Sequence, residues 1–333
     1  MGPGRFGAVL TAMVTPFDDG GGLDVDGAVT LARWLVQHGS EGLVVAGTTG
    51  ESPVLSDDEK VALWEAVVGA VTVPVIAGST SNDTAHSVAL TARAAEAGVA
   101  GILAVTPYYS RPSQAGLDAH FRAVAAATSL PVLIYDIPVR TGRKVAHETL
   151  IALARDVPTI VGVKDATGSP AESARLMAEA PPGFDLYSGD DALTVPLLAV
   201  GAAGVISVAS HWAGEEIAEM VASFFKGDVD GARRINARLM ESWRFESGDL
   251  TPNPIPSKAM MRALGLPAGQ CRLPVGPAPE GLEERALEVL GRLRDPDAEA
   301  TGSIPAPAPA PAPAPAHAHA TAGTGHHQQG LLG

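Results

Sequence analysis

Only one cysteine, Cys271, occurs in the 333 residues, so no internal disulfide can form and thiol usage fits a reducing cytoplasm. The N-terminal stretch MGPGRFGAVL lacks the basic segment and the continuous apolar run of a secretory signal. No apolar run is long enough to cross a bilayer, because the longest, residues 195–209, is broken by Gly201 and Gly204. Positive charge is also scarce. The 23 Lys and Arg against 37 Asp and Glu leave a formal charge of −14, which argues against nucleic acid or an anionic membrane as partner. An anionic ligand would have to be drawn by local basic groups such as Arg140 and Lys164. No strand-like run opens on G-x-G-x-x-G or G-x-x-x-x-G-K-[ST], and no tight His/Cys cluster precedes the C-terminal tail. Neither a cofactor nor a metal is therefore expected.

What is abundant is alternation. Hydrophobic residues make up 46% of the chain, and β-type runs occur at 8–14, 42–47, 73–79, 101–107, 131–137, 160–166, 184–189 and 204–210. Segments with helical spacing separate them. The second such segment opens on Ser56-Asp57-Asp58-Glu59, a capping-box pattern, while the first and third run out at Gly39 and Gly98. Eight strands each followed by a helix predict a (β/α)8 TIM barrel over residues 1–212. A doubly wound open sheet shares the alternation but lacks its nucleotide fingerprint here. Residues 213–295 read as a C-terminal helical extension, interrupted by TPNPIPSK. Residues 296–333, rich in Pro and Ala and then His, read as a disordered low-complexity tail.

Barrel enzymes carry their chemistry at the C-terminal ends of the strands. Those ends supply Thr48-Thr49, Ser79-Thr80, Tyr108-Tyr109, Tyr135, Arg140, Lys164, Ser188-Gly189-Asp190 and Ser207. Most are what any polar loop would offer. Lys164 and Tyr135 differ, because each sits inside an apolar run, where an unpaired amine or phenol is costly. Strand alternation puts Gly162, Lys164 and Ala166 on one face, with Val161, Val163 and Asp165 on the other. Small neighbours would leave room for a ligand at Lys164, and adjacent strands lie only about 4.8 Å apart, within reach of the Tyr135 phenol. A desolvated lysine of lowered pKa attacks carbonyls, and the resulting imine acidifies the neighbouring carbon, with a phenol to relay the proton.

Eight stretches in order carry a resemblance: AMVTPF (12–17), GTTGES (47–52), VTPYYSRPSQ (105–114), IYDIPVRTG (134–142), GVKDATG (162–168), SGDD (188–191), GVISV (204–208) and PNPIPSK (252–258). From about Phe6 to residue 294 the chain resembles the dihydrodipicolinate synthase family of pyruvate-dependent class I aldolases and lyases. The resemblance implies that pyruvate forms a Schiff base on Lys164 and that Tyr135 shuttles protons to it. Thr48 and Tyr109 would complete the relay, with Tyr109 reaching into a neighbouring subunit. Thr49 and Ile206 would bind the pyruvate unit, and Arg140 would hold the carboxylate of L-aspartate 4-semialdehyde. The same resemblance implies a cytoplasmic homotetramer built as a dimer of dimers. Family members commonly carry a small residue before that arginine, whereas this chain has Val139, so its bulk bears on the second substrate. A sibling sugar-acid lyase of the same barrel shares the imine lysine. A catalytically silent barrel acting as a binding subunit is the reading from a different class.

Overall fold

All eight β-type runs form parallel strands in the computed structural model, which describes residues 2–295. They are β1 (Val9–Ala12), β2 (Gly42–Val45), β3 (Val75–Ala77), β4 (Gly101–Val105), β5 (Val132–Asp136), β6 (Ile160–Asp165), β7 (Asp185–Ser188) and β8 (Gly204–Ser207). Each strand pairs with its chain neighbours, and β8 closes onto β1 with Leu10 opposite Ile206. Closure settles the architecture as a barrel and removes the open-sheet alternative. Helices α1 (Val25–Gln37), α2 (Asp57–Ala70), α3 (Thr84–Glu96), α4 (Gln114–Ala126), the one-turn α5 (Pro138–Thr141), α6 (His147–Asp156), α7 (Pro170–Glu179), α8 (Thr194–Ala199) and α9 (Ser210–Phe225) follow the strands. Three more complete the described chain: α10 (Val229–Phe245), α11 (Ile255–Ala263) and α12 (Leu282–Arg294). The position 212/213 falls inside α9, beside Ala213, where the dihedrals leave the helical range. The tail at 296–333 lies outside the described residues.

Local chemistry sets the helix ends. The Ser56 side chain accepts from the Glu59 N–H and the Glu59 carboxylate accepts from the Ser56 N–H, a complete capping box worth about 1 kcal/mol. Gly39 and Gly98, just past α1 and α3, take φ of 98° and 81°, where a side chain would be strained.

Strand alternation divides the core in two. Val9, Leu43, Val75, Ile102 and Val132 face the helices, while Leu10, Val44, Ile76, Leu103, Leu133 and Tyr187 fill the barrel. One strand departs from strict alternation. Val132 pairs with Ile160 but Leu133 pairs with Gly162, so Val161 is an extra residue in β6. Such a bulge turns its side chain away from the regular pleat. Val161 accordingly packs with the barrel interior instead of sharing the outer face with Val163. Past the bulge the alternation resumes and Lys164 faces inward. Gly162 also has a different use from the one expected. A Cβ there would lie 2.3 Å from the Asp185 carbonyl oxygen, so its bareness serves the close approach of β7.

A buried ion pair ties the C-terminal region to the loop after β2. Lys258 on α11 is completely buried, with its Nζ 2.7 Å from Glu51 Oε1 and 4.0 Å from the centre of the Phe17 ring. It also donates to the Gln270 carbonyl at 3.0 Å. The second Glu51 oxygen accepts the Arg272 N–H at 2.8 Å, and the Arg272 guanidinium forks onto Glu59. Removing one member strands a charge in a dry site, which costs about 3–5 kcal/mol, whereas replacing both by apolar groups is often near neutral. Glu51→Ala should therefore lose about 3–5 kcal/mol in urea unfolding. The double variant Glu51→Leu/Lys258→Met should regain most of it. A double variant as unstable as the single would show that the charges are not what Glu51→Ala disturbs.

Candidate active site

Strand register brings the two anomalous residues together. Tyr135 and Lys164 are direct partners across β5 and β6, and the Lys164 ammonium sits 4.3 Å from the centre of the Tyr135 ring. Both side chains are buried, Lys164 to 5% exposure. Gly189, after β7, lies against the amine's stem, since a Cβ there would come 3.1 Å from Lys164 Cε and 3.0 Å from Ala166 Cβ. Burial lowers the amine from 10.5 to about 8. Asp191 pulls it up, Arg140 pushes it further down, and Glu246 pulls it up. The Tyr135 phenol is raised to about 12, mainly by burial, against the opposing effects of Arg140 and a hydrogen bond with Thr48. Near neutral pH the lysine thus has free amine available while the phenol keeps its proton to give.

A cavity of about 370 Å³ opens over this pair. Thr48, Tyr108, Tyr109, Tyr135 and Arg140 are on its wall, and so are Thr80 and Ser52. Lys164 is not on that wall itself and meets it through the Tyr135 ring. Thr49 and Ile206 are buried and also off the wall. Thr49 Oγ1 accepts from the Asn253 amide at 2.9 Å, and Ile206 belongs to the inner cluster of the barrel. The Arg140 guanidinium comes within 3.5 Å of the Asn253 carbonyl oxygen. Val139 is 86% exposed and turned to solvent, so its bulk does not occupy the cavity. Tyr109 is 90% exposed on a backbone at φ 70°, a conformation uncommon for a side-chain-bearing residue.

Three contributors escaped the sequence reading. Asn253 stands within a quoted motif but carried no role. Asp191 closes the SGDD stretch and is buried. Glu246 had no signal at all, being one acid in a polar segment. Among the described residues no group of three or more His, Cys, Asp or Glu is placed to hold a metal ion. A second cavity, of about 280 Å³, lies behind the same strands and is lined by Asp136, Asp165, Lys144 and Glu172. It contains none of the candidate catalytic residues.

The dihydrodipicolinate synthetase family model matches residues 5–291. The chain belongs to that family. It is 50% identical to the 4-hydroxy-tetrahydrodipicolinate synthase of Moorella thermoacetica over 288 residues, covering 86% of this chain and 98% of the relative. The Bacillus subtilis enzyme of the same name is 47% identical over 280 residues, covering 83% and 95%. A crystal structure of dihydrodipicolinate synthase from Bacillus anthracis superposes with a TM-score of 0.83 at 40% identity, covering 86% and 98%. The inward lysine of this family member sits in its GVKDATG stretch and the partner phenol in IYDIPVRTG.

The depressed amine has a direct consequence. Only free amine is nucleophilic, so competitive acetylation of Lys164 should climb with pH and level off above about 8. Solvated lysines titrate near 10.4 and should keep climbing well beyond that point. Peptide mass spectrometry across pH 6–11 (roughly the span of both titrations) reads this. A Lys164 curve that tracks the solvated lysines would remove the physical basis for its reactivity.

Proposed function

We propose that the protein condenses pyruvate, held as a Schiff base on Lys164, with L-aspartate 4-semialdehyde, the reaction for which its relatives are named. The observation that carries this reading is the buried, free-amine-prone Lys164 stacked on a protonated Tyr135 that hydrogen-bonds Thr48. The Lys164 nitrogen attacks the keto carbon of pyruvate. Tyr135 donates the proton that lets water depart, leaving the imine. Loss of a proton from the pyruvate methyl group through Tyr135 and Thr48 gives an enamine, whose carbon attacks the aldehyde. Arg140, on the cavity wall, offers a planar fork to the carboxylate of the second substrate. The second substrate's own amine then closes onto the imine carbon, and Lys164 is released. Thr49 and Ile206 fit as supports of the pyruvate end, because both are buried at strand ends adjoining the site.

The test combines trapping with turnover. Borohydride with pyruvate should fix a mass gain on the Lys164 peptide, and the purified protein should consume aspartate semialdehyde only when pyruvate is present. Lys164→Ala should abolish the adduct and lower kcat by roughly 10³-fold or more. Tyr135→Phe should lose roughly 10²–10⁴-fold, the range for a proton-transfer group. An adduct on another lysine would sink the assignment. Cleavage of N-acetylneuraminate or a keto-deoxy sugar acid with no semialdehyde consumption would move the protein to a sibling activity.

The reading extends to assembly and location. Tyr109 projects from the single chain with nothing covering it, while standing at the cavity mouth. That suits a residue completing the site of a neighbouring subunit in a homotetramer, a dimer of dimers. Among the described residues no helix is long and apolar enough to cross a membrane, in keeping with a cytoplasmic enzyme. Subunit mixing examines the Tyr109 role. Tyr109→Phe and Lys164→Ala proteins, each nearly inactive, should regain activity when exchanged into mixed oligomers. Mixtures that exchange subunits and stay inactive would mean each subunit builds its site alone.

A further inference from the structure

Two acids that the reaction scheme does not use meet behind Lys164. Asp191 follows β7 and is 3% exposed, and its Oδ2 accepts the N–H groups of Val208 at 2.7 Å and Ala209 at 3.3 Å. Its other oxygen, Oδ1, is buried with no donor. Glu246 comes from the far end of α10, and its Oε2 is likewise buried with no donor. The two carboxyl groups lie within hydrogen-bonding reach of each other.

Ionised carboxylates only accept hydrogen bonds, so two of them within reach of each other, each with a buried oxygen that no donor meets, are unsatisfied and repel. One proton between them cures both faults. Every neighbour bears on where that proton sits. The Val208 and Ala209 N–H groups favour charge on Asp191, and the Asp190 carboxylate adds further negative charge beside Glu246. Burial, then Asp191 and Asp190, push the Glu246 carboxyl well above the ordinary carboxylate range, against a weaker pull from the Ala209 N–H. Lys164 on β6 faces both acids, and Arg140 on α5 opposes them at the amine.

We propose that Asp191 and Glu246 share one proton and present a single negative charge to Lys164, which makes Glu246 a positioning residue for the imine lysine. The proposal rests on Lys164 being that lysine. The charge is held on Asp191, and the Glu246 O–H donates to Asp191 Oδ1. A residue from beyond the barrel thereby limits how much the acids can raise the amine. Two free charges would drag the lysine back toward its protonated state, and none would leave its ammonium form unbalanced.

Amide replacements separate these cases, because Asn and Gln keep shape and hydrogen-bonding capacity. Glu246→Gln keeps the charge on Asp191 and supplies the donor from its amide. Asp191→Asn lets the charge pass to Glu246, with the Asn amide donating to it. Each single variant should therefore leave the Lys164 acetylation midpoint within experimental error. The double variant Asp191→Asn/Glu246→Gln removes the pair's one charge and should lower the midpoint by about one pH unit or more. This pattern is strongly non-additive. Two independent carboxylates would instead give a downward shift in each single variant and their sum in the double, and that result overturns the proposal. An unmoved double variant overturns it as well.

Infrared difference spectra provide a second reading that needs only Glu246→Gln. The unmodified-minus-Glu246→Gln difference spectrum should carry the carbonyl stretch of a protonated carboxylic acid, the Asp136 carboxyl contributing equally to both proteins and cancelling. Absence of that band from the difference spectrum refutes the shared proton even if the double variant does not fold. Neither measurement uses pyruvate. A missing pyruvate adduct with this pattern intact would refute the assigned reaction and leave the acid pair standing.

Discussion

An amine has to be held in the dry interior of a closed barrel, and the site is arranged around that constraint. Moving Lys164 from 10.5 to about 8 corresponds to on the order of 3 kcal/mol against its charged form. Burial supplies the push. Asp191 opposes it, so the group stops where protonated and free forms coexist near neutral pH instead of being driven fully neutral. The role proposed for Lys164, attacking as amine and later leaving as amine, benefits from that position. The Tyr135 phenol is displaced the opposite way by the same burial, up to about 12, and so remains a proton donor. One dry environment therefore separates the two titrations in the directions that imine chemistry needs.

The C-terminal region takes part in this arrangement. Asn253 donates to Thr49 and its carbonyl lies by Arg140, so one residue touches two different strand-end loops. Lys258 and Arg272 both fasten Glu51, three residues past Thr48. Glu51 itself takes φ 57°, a conformation that the ion pair and the Arg272 N–H hold in place. Those contacts add to the Thr15 hydroxyl, which donates to the Gly50 carbonyl at 2.7 Å, in holding the loop that carries the threonines. Helix α11 and the segments flanking it thus stabilise the fold and, through the same atoms, fix the geometry of the cavity wall.

How legible this was depends on the range of the interaction. All eight strands were readable because apolar runs, glycine stops and the Ser56 cap are local signals. Lys164 and Tyr135 stood out for the same reason, as polar groups inside apolar runs. The bulge at Val161 was not readable, because an extra residue shows only against the register of the neighbouring strand. Gly162 was misjudged in the same way, since its demand comes from a carbonyl on β7. Asn253 and Glu246 are 204 and 55 residues from the groups they meet, Thr49 and Asp191. Asn253 lies in the PNPIPSK stretch but nothing local gives it a role, and nothing nearby marks Glu246, because their importance is created only when the chain closes. Val139 reads as bulk beside Arg140 in the sequence, yet the turn of α5 sends it to solvent.

The same alternation that aims Tyr135 and Lys164 inward sends their successors outward, and Asp136 and Asp165 pair across β5 and β6 just behind them. Two carboxylates one residue from the amine would be a strong field if it reached the site. Burial, with Asp165 beside it, raises the Asp136 carboxyl to about 7, so much of its charge is withheld near neutral pH. Asp165 is engaged instead by the Thr167 N–H and the Ser173 hydroxyl on the outer side. Neither acid is among the groups that displace the Lys164 amine, which are Asp191, Arg140 and Glu246. The groups that act on the amine thus belong to the strand-end loops and the C-terminal region and not to this helix-side pair. Acids on the helix side are free to serve packing, while the few charges on the barrel side set the reactivity of the lysine.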